Sequence, residues 1–319
     1  MVNTLYLGKR IVVAILSVLI VISVVFGMTE ALPGSAANIA LGTAQTEEAV
    51  AQLEQQMGLN RPLHVRYTEF LVSTVTLSFG DSLLSGEPVM NVLAPAVRKT
   101  LELAIVATII SIFTAIPLGV LTAARRRSIF DNVSLNLSYI LVSVPSFVSA
   151  TLLLLIFTQP PLDFFPSGGY EPLSNGVFPW LHHMILPAVS LNVVIFAYVL
   201  RQTRSSMIET LESDYIRTAR LKGVGEAKVL MRHALRNGLL PTVTVVAINF
   251  GWMMGAVVIV EEIFSYPGVG QLVVQAITTR DLPVLQAAIL VPTVAFIGAN
   301  LLADIVYTIM DPRIGLGEK

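Results

Sequence analysis

Six long apolar runs, separated by polar segments, set the pattern of this chain. The first, Ile11 to Thr29, carries no charge. The second runs from Leu101 to Ala124 with only Glu102 near its start, and the third from Val133 to Thr158. The fourth, His183 to Leu200, is shorter and continues as helix toward Arg204. The fifth covers Leu239 to Val260; the sixth covers Val284 to Thr308, interrupted by Pro292 and Asp304. A hydrocarbon core about 30 Å thick is crossed by about 20 apolar residues in a helix. The pattern predicts an all-α polytopic membrane protein with six transmembrane helices. The first would lie within 1–30, an outer loop region within 31–100, and a five-helix core within 101–319. Lys9 and Arg10 precede the first run and small residues follow at Ser35 to Ala37, as in a signal peptide. The run is longer than the roughly 7–15 apolar residues of such a peptide, so it is expected to be a retained span. Pro117, Pro187 and Pro292 are expected to kink their spans, which neighbouring helices accommodate.

The polar segments carry patterns of their own. Thr46 to Gly58 reads as a short helix, with an N-cap threonine, Glu47 and Glu48 in the first turn and a terminal glycine. Val50, Leu53 and Met57 share one face of it, suited to packing on the outer mouth of the bundle. Phe264 to Gly270, FSYPGVG, is a turn-rich segment after the fifth run. The long segment from Tyr215 to Pro241, YIRTARLKGVGEAKVLMRHALRNGLLP, is basic. Asp214 to Lys222 holds good helix formers, and Gly223-Val224-Gly225 should end that helix because glycine tolerates the left-handed cap. A second helix can run from Glu226 to Asn237, with Lys228, Arg232 and Arg236 on one ridge. Leu230 and Ala234 would line the next face, and Met231 and Leu235 the one after.

Composition sharpens the class. The chain is 54% hydrophobic and 13% charged, against roughly 25% charged in soluble domains. A net charge of −1 implies no nucleic-acid partner. The absence of cysteine excludes disulfides, thiol catalysis and cysteine metal sites, and leaves the redox compartment undecided. The 20 Lys and Arg residues sort by side. One side receives Lys9, Arg10, Arg125, Arg126, Arg127, Arg201, Arg204, the six between Tyr215 and Pro241, Arg313 and Lys319. The other receives Arg61, Arg66, Arg98, Lys99 and Arg280. The basic side is expected to be cytoplasmic, with both termini. A basic loop at that surface suits anionic lipid, and its double glycine and its Tyr215/Ala219 face also suit seating in a partner's groove.

At these residues the chain resembles a family. YIRTARLKG followed by HALRNGLLP is similar to the cytoplasmic "EAA" loop of permeases of binding-protein-dependent ABC importers. It resembles most closely the B-type permease of the dipeptide/oligopeptide/nickel branch. LPG at Leu32–Gly34, MGLNRPLHVRY at Met57–Tyr67, FGDSLLSGEPV at Phe79–Val89 and TLELA at Thr100–Ala104 carry the same resemblance. So do Glu261–Gln286 and DPR at Asp311–Arg313, so that nearly the whole chain is covered. Where the general motif has E-A-A, three residues and glycine, this chain has Arg217-Thr218-Ala219 and Gly223. Where the general loop has Leu-Pro it has Leu235-Arg236. Both departures fit the peptide/nickel branch. LPG is followed by Ser35-Ala36 where that branch has an acid and a proline.

The resemblance implies a type I ABC-importer permease fold and one half of a translocation pore. A second homologous permease would supply the other half, as a heterodimer. Two cytoplasmic ATPases would bind below, and an extracytoplasmic substrate-binding protein would dock above. ATP and Mg would sit on the ATPases, with no cofactor on this chain. The loop over 209–240 would be the coupling element: Arg217, Thr218, Ala219 and Gly223 its core, with Tyr215, Arg220, Lys222 and Glu226 flanking. ATPase closure would push it and rock the fourth and fifth spans. The solute would be a di- or oligopeptide, with nickel, sugars or another small solute open.

Other residues admit two readings. Asn136, Asn192, Asn249 and Asn300 lie inside spans and either line a solute path or join helices by hydrogen bonds. Asp304 is expected to pair near Arg313 in a structural role. Glu261 and Glu262 at the outer end of the fifth span either meet the solute or the binding protein, or form an interfacial acid pair. His182 and His183 diverge on a helix and have no third ligand nearby, so no metal site is expected. The chain has no G-x-x-x-x-G-K-[ST], H-E-x-x-H or G-x-S-x-G, so it is not expected to be an enzyme. An ion-driven secondary transporter would need midplane charges and broken helices. A non-transporting scaffold would need only the basic loop.

Overall fold

The structure, a computed structural model, describes residues 4–31, 46–56 and 60–310. Among these the elements are helical, apart from one isolated β-bridge between Asp81 and Pro88. The helices are α1 (Thr4–Ala31), α2 (Glu47–Gln56), α3 (Leu63–Thr76), α4 (Val89–Ala124), α5 (Ile129–Ser143), α6 (Ser146–Phe157) and α7 (Val177–Leu211). Then follow α8 (Asp214–Leu221), α9 (Glu226–Lys228), a π-helical turn (Val229–Ala234), α10 (Leu235–Gly238), α11 (Leu240–Ile263), α12 (Val269–Thr279) and α13 (Leu282–Met310). The helices α1, α4, α7, α11 and α13 are each long and apolar enough to cross a membrane. The chain is a multi-pass membrane protein.

The third apolar run departs from its expected form. In place of one span over Val133–Thr158, α5 and α6 meet at a bend of 104°. Pro145 lacks an N–H and drives the residue before it out of the helical region; Val144 has φ −86° and ψ 119°. Pro117, Pro187 and Pro292 stay inside continuous helices, as does Pro95. Two helices are also longer than their apolar runs. The 36 residues of α4 and 35 of α7 reach about 54 Å and 52 Å at 1.5 Å per residue, beyond a bilayer with its headgroups.

The helices α4 and α7 form the most extensive pair. They run parallel, because Glu102 meets Trp180 at one end and Gly119 meets Thr203 at the other. A Cβ on Gly119 would fall 2.7 Å from Thr203 Cβ and 2.9 Å from the Leu200 carbonyl, so only glycine allows this approach. Leu103, Ala107, Met184, Leu200, Met254 and Val257 are among the side chains of the central core between α4, α7 and α11. At one end, Val89 and Leu93 of α4 pack with α12 and α13. At the other end, Val120 and Ala123 of α4 pack with Met207 of α7 and with the basic segment. The helix α1 lies outside this core, against α13 and Phe70 of α3.

The outer-loop motif Phe79–Val89 folds as a tight loop. Gly80 and Gly86 have positive φ, and Ser82 N–H donates to the Glu87 carbonyl at 2.8 Å. Asp281, 4% exposed, pins it: Ser82 Oγ donates at 2.5 Å and Leu83 N–H at 3.2 Å. The short helix expected over 46–58 is described over Glu47–Gln56; of its apolar face Val50 is half-buried, and the Leu53 and Met57 side chains lie outside the described residues. The Leu32–Gly34 and Asp311–Arg313 motifs and the Asp304 side chain also lie outside them.

Candidate functional site

The basic segment is a helix–turn–helix fastened at both ends. The helix α8 closes in a Schellman cap: Gly223 N–H donates to the Arg220 carbonyl at 2.9 Å and Val224 N–H to the Ala219 carbonyl at 3.2 Å. Gly223 sits at φ +79°, the left-handed conformation this cap requires. Arg220 bridges the turn, donating to Glu226 through Nε at 2.7 Å and Nη2 at 3.2 Å. This hydrogen bond holds the Glu226 carboxyl below its ordinary range. Tyr215 reaches across as well; its hydroxyl donates to the His233 carbonyl at 3.4 Å and accepts from Asn237 Nδ2 at 3.0 Å. So Tyr215, Arg220 and Glu226 hold the segment's own shape.

One face of α8 is rooted in the bundle. Ile216 and Ala219, three apart, are buried against Val120, Ala123, Met207, Val229 and Ala234. The opposite face carries Arg217, Thr218, Leu221 and Lys222, all exposed. Leu221 is 81% exposed, although its apolar side chain gives no sign in the sequence of facing outward. Past the glycines, a π-helical turn over Val229–Ala234 interrupts the expected α-helix. Its wider turn puts Val229 and Ala234 inward, leaves Leu230 and Leu235 half-buried and Met231 exposed, while Lys228, Arg232 and Arg236 stay in solvent.

A buried ion pair ties this end of the bundle together. Arg204 of α7 donates to both oxygens of Asp131, from Nε at 2.5 Å and Nη2 at 2.8 Å. Asp131 is 1% exposed and also accepts from Arg127 N–H at 2.9 Å, while its own N–H donates to the N-cap Ser128 Oγ. One carboxylate thereby fixes the α4–α5 turn, the start of α5 and the end of α7. Arg126 pairs with Glu212 at the rim. In sequence, Ser128-Ile129-Phe130-Asp131 marks the N-cap of α5 but not the pairing of Asp131 with Arg204.

The intramembrane candidates are scattered. Asn192 is buried, and its Oδ1 has no hydrogen-bond partner among the described residues. Ser111 Oγ is orphaned in the same way. With α4 and α7 parallel, the register that joins Glu102 to Trp180 and Gly119 to Thr203 puts Ser111 and Asn192 at one level. Asn249 Nδ2 donates to the Val245 carbonyl at 2.8 Å, inside its own helix. Asn300 is half-buried in a cleft between α13 and α1, lined also by Ser17 and Phe296. Asn136 is exposed on α5.

Glu261 and Glu262 part company. Glu262 is exposed, whereas Glu261 is 0% exposed. Thr100 Oγ1 donates to Glu261 Oε1 at 2.6 Å, Gly270 N–H donates to Oε2 at 2.6 Å, and Thr100 Oγ1 also accepts from Val269 N–H at 2.8 Å. Glu261 thus clamps the turn after α11 onto α4. A Cβ on Gly270 would fall 2.3 Å from Val258 Cα. His182 Nε2 lies 2.8 Å from the Phe164 carbonyl and its ring stacks on Phe178, so it is a packing group.

Residues 115–316 match the binding-protein-dependent transport system inner membrane component family, and residues 3–104 match its N-terminal membrane-component region. The chain belongs to this family. It is 37% identical over 309 residues to a probable peptide ABC transporter permease protein of Sinorhizobium fredii, covering 97% of this chain and 98% of that one. It is 35% identical over 329 residues to the dipeptide transport system permease protein DppB of Alkalihalophilus pseudofirmus, with the same coverage. It is 35% identical over 309 residues to the glutathione transport system permease protein GsiC of Salmonella choleraesuis, again at 97% and 98% coverage. The chain is therefore a membrane permease subunit of an ABC importer, and the ATP chemistry of such a system belongs to other subunits.

Proposed function

We propose that this permease forms half of a peptide-conducting pore in the plasma (inner) membrane of a prokaryote. The relatives' names support peptides over nickel or another small solute. In this reading α5 and α6 together make the third of six spans in a type I permease fold, with both termini cytoplasmic. A second homologous permease completes the pore, two ATPases carrying ATP and Mg bind at the basic end, and a binding protein delivers solute at the other. No cofactor sits on this chain.

The observation that carries the coupling role is the split character of α8. Ile216 and Ala219 root it in the bundle, and Arg217, Thr218, Leu221 and Lys222 project outward. A helix fixed on one face and bare on the other transmits a push as a rigid body. Leu221→Asp touches only the bare face. In the assembled complex it should leave membrane insertion and permease level intact and abolish ATP-dependent uptake. Gly223→Pro, incompatible with φ +79°, should do the same through the cap. Normal uptake by Leu221→Asp would refute the coupling role.

A further inference from the structure

The helix α5 presents three distinct faces. Asp131, Ser134 and Ser138 point into the bundle. Val133 and Leu137 are exposed and apolar. Asn132, Asn136, Tyr139 and Ser143 are exposed and polar. Their spacing of four, three and four keeps them on one stripe at about 100° per residue, well around the helix from Leu137, with the exposed Ile129 and Ile140 along one edge. The stripe covers eleven residue steps, about 16 Å of helix. The Asn132 and Asn136 side chains have no hydrogen-bond partner among the described residues. These two amides lie about 6 Å apart along the helix, and unpaired amides are costly against lipid tails, so this part of the stripe faces water or protein.

Arg201 lies beside this stripe. Its guanidinium carbon is 5.2 Å from the ring centroid of Tyr139 and 5.1 Å from that of Tyr198. Asp131, the acid at this end of α5, is taken by Arg204. Arg201 makes no ion pair and donates no hydrogen bond among the described residues. It precedes Arg204 by three residues on α7, about one turn further into the bundle. Two ring faces hold the cation in place and leave its planar fork of N–H donors free, a geometry that matches a carboxylate.

We propose that Arg201, clasped by Tyr139 and Tyr198 beside the α5 polar stripe, is a transit site for the carboxylate of the passing solute. The proposal rests on the reading of the chain as a solute-conducting permease. The rings steady the cation and weaken its need for a permanent counter-ion, so a carboxylate binds and leaves. A permanent partner such as Asp131 would block that exchange.

The test uses the whole complex in proteoliposomes, with a dipeptide bearing a free C-terminal carboxylate as probe. Arg201→Gln should cut uptake about tenfold or more, the scale of one charge-assisted hydrogen bond. Arg201→Lys keeps the charge without the planar fork and should recover only part of the uptake, and ATP hydrolysis should persist in both. Unchanged uptake by Arg201→Gln, with active wild type, would overturn the site. So would a loss seen only in vesicles containing anionic lipid, which would make Arg201 a lipid contact. A second arm needs no solute. The chain lacks cysteine, so Asn136→Cys and Leu137→Cys each introduce one thiol. A membrane-impermeant thiol reagent should modify the first and spare the second. An unreactive Asn136→Cys would show the stripe covered by lipid or by a second permease, and would overturn the proposal. A wild-type complex that takes up no peptide would sink the peptide reading, while the labelling contrast still decides the stripe.

Discussion

Asp131 and Arg204 meet beneath the basic surface, and their pair shows how single residues tie that surface to the bundle. Asp131→Ala would leave Arg204 largely buried without its partner. Breaking such a pair costs about 3–5 kcal/mol. The detergent-solubilised variant should therefore melt well below wild type, and Asp131→Ala/Arg204→Met should recover part of the loss. Thermal unfolding checks both. Glu261 is held as firmly, by Thr100 and Gly270. Glu261→Ala removes the acceptor of two buried donors, at about 1–3 kcal/mol for each one left unsatisfied; a thermal melt should show that loss, and an unchanged melt would contradict the clamp. Neither role was legible in the sequence. Arg204 reads as one more positive charge in a basic segment, and its partner lies 73 residues away. Glu261 and Glu262 look alike in sequence, and Thr100, which distinguishes them, is 161 residues distant. The Gly223 cap, by contrast, was legible, because all of its hydrogen bonds fall within the turn itself.

Among elements, the apolar runs marked where the long helices lie, because burial in a membrane leaves little choice of composition. They did not mark the ends. The helices α4 and α7 continue past their apolar cores, where polar residues pack on protein or meet water. Nor did they mark the bend at Pro145. Ile116-Pro117 and Val291-Pro292 put the same kind of β-branched residue before proline and remain helical, so the neighbours in space decide the outcome. The close parallel contact of α4 and α7 hangs on Gly119. Gly119→Leu should force these helices apart and lower the amount of folded permease in the membrane, whereas Gly255→Leu, with open space at its Cβ, should be tolerated. Membrane levels and a thermal melt of the purified variants compare the two.

At the scale of the whole molecule, the basic residues gather at the end where α4 stops, α5 starts, and α7 passes into α8. Cores at this end and at the opposite end are separate clusters joined by the central one, so a displacement of α8 enters the bundle through Ile216 and the inner ends of α4 and α7. In the coupling role proposed for α8, ATP-driven motion reaches the pore through its exposed face. The most direct test measures ATP hydrolysis and peptide uptake together, in proteoliposomes holding the wild-type complex or its Leu221→Asp variant. Wild type should link the two, and the variant should assemble in the membrane yet take up no peptide. A variant that imports peptide at the wild-type rate would contradict that role.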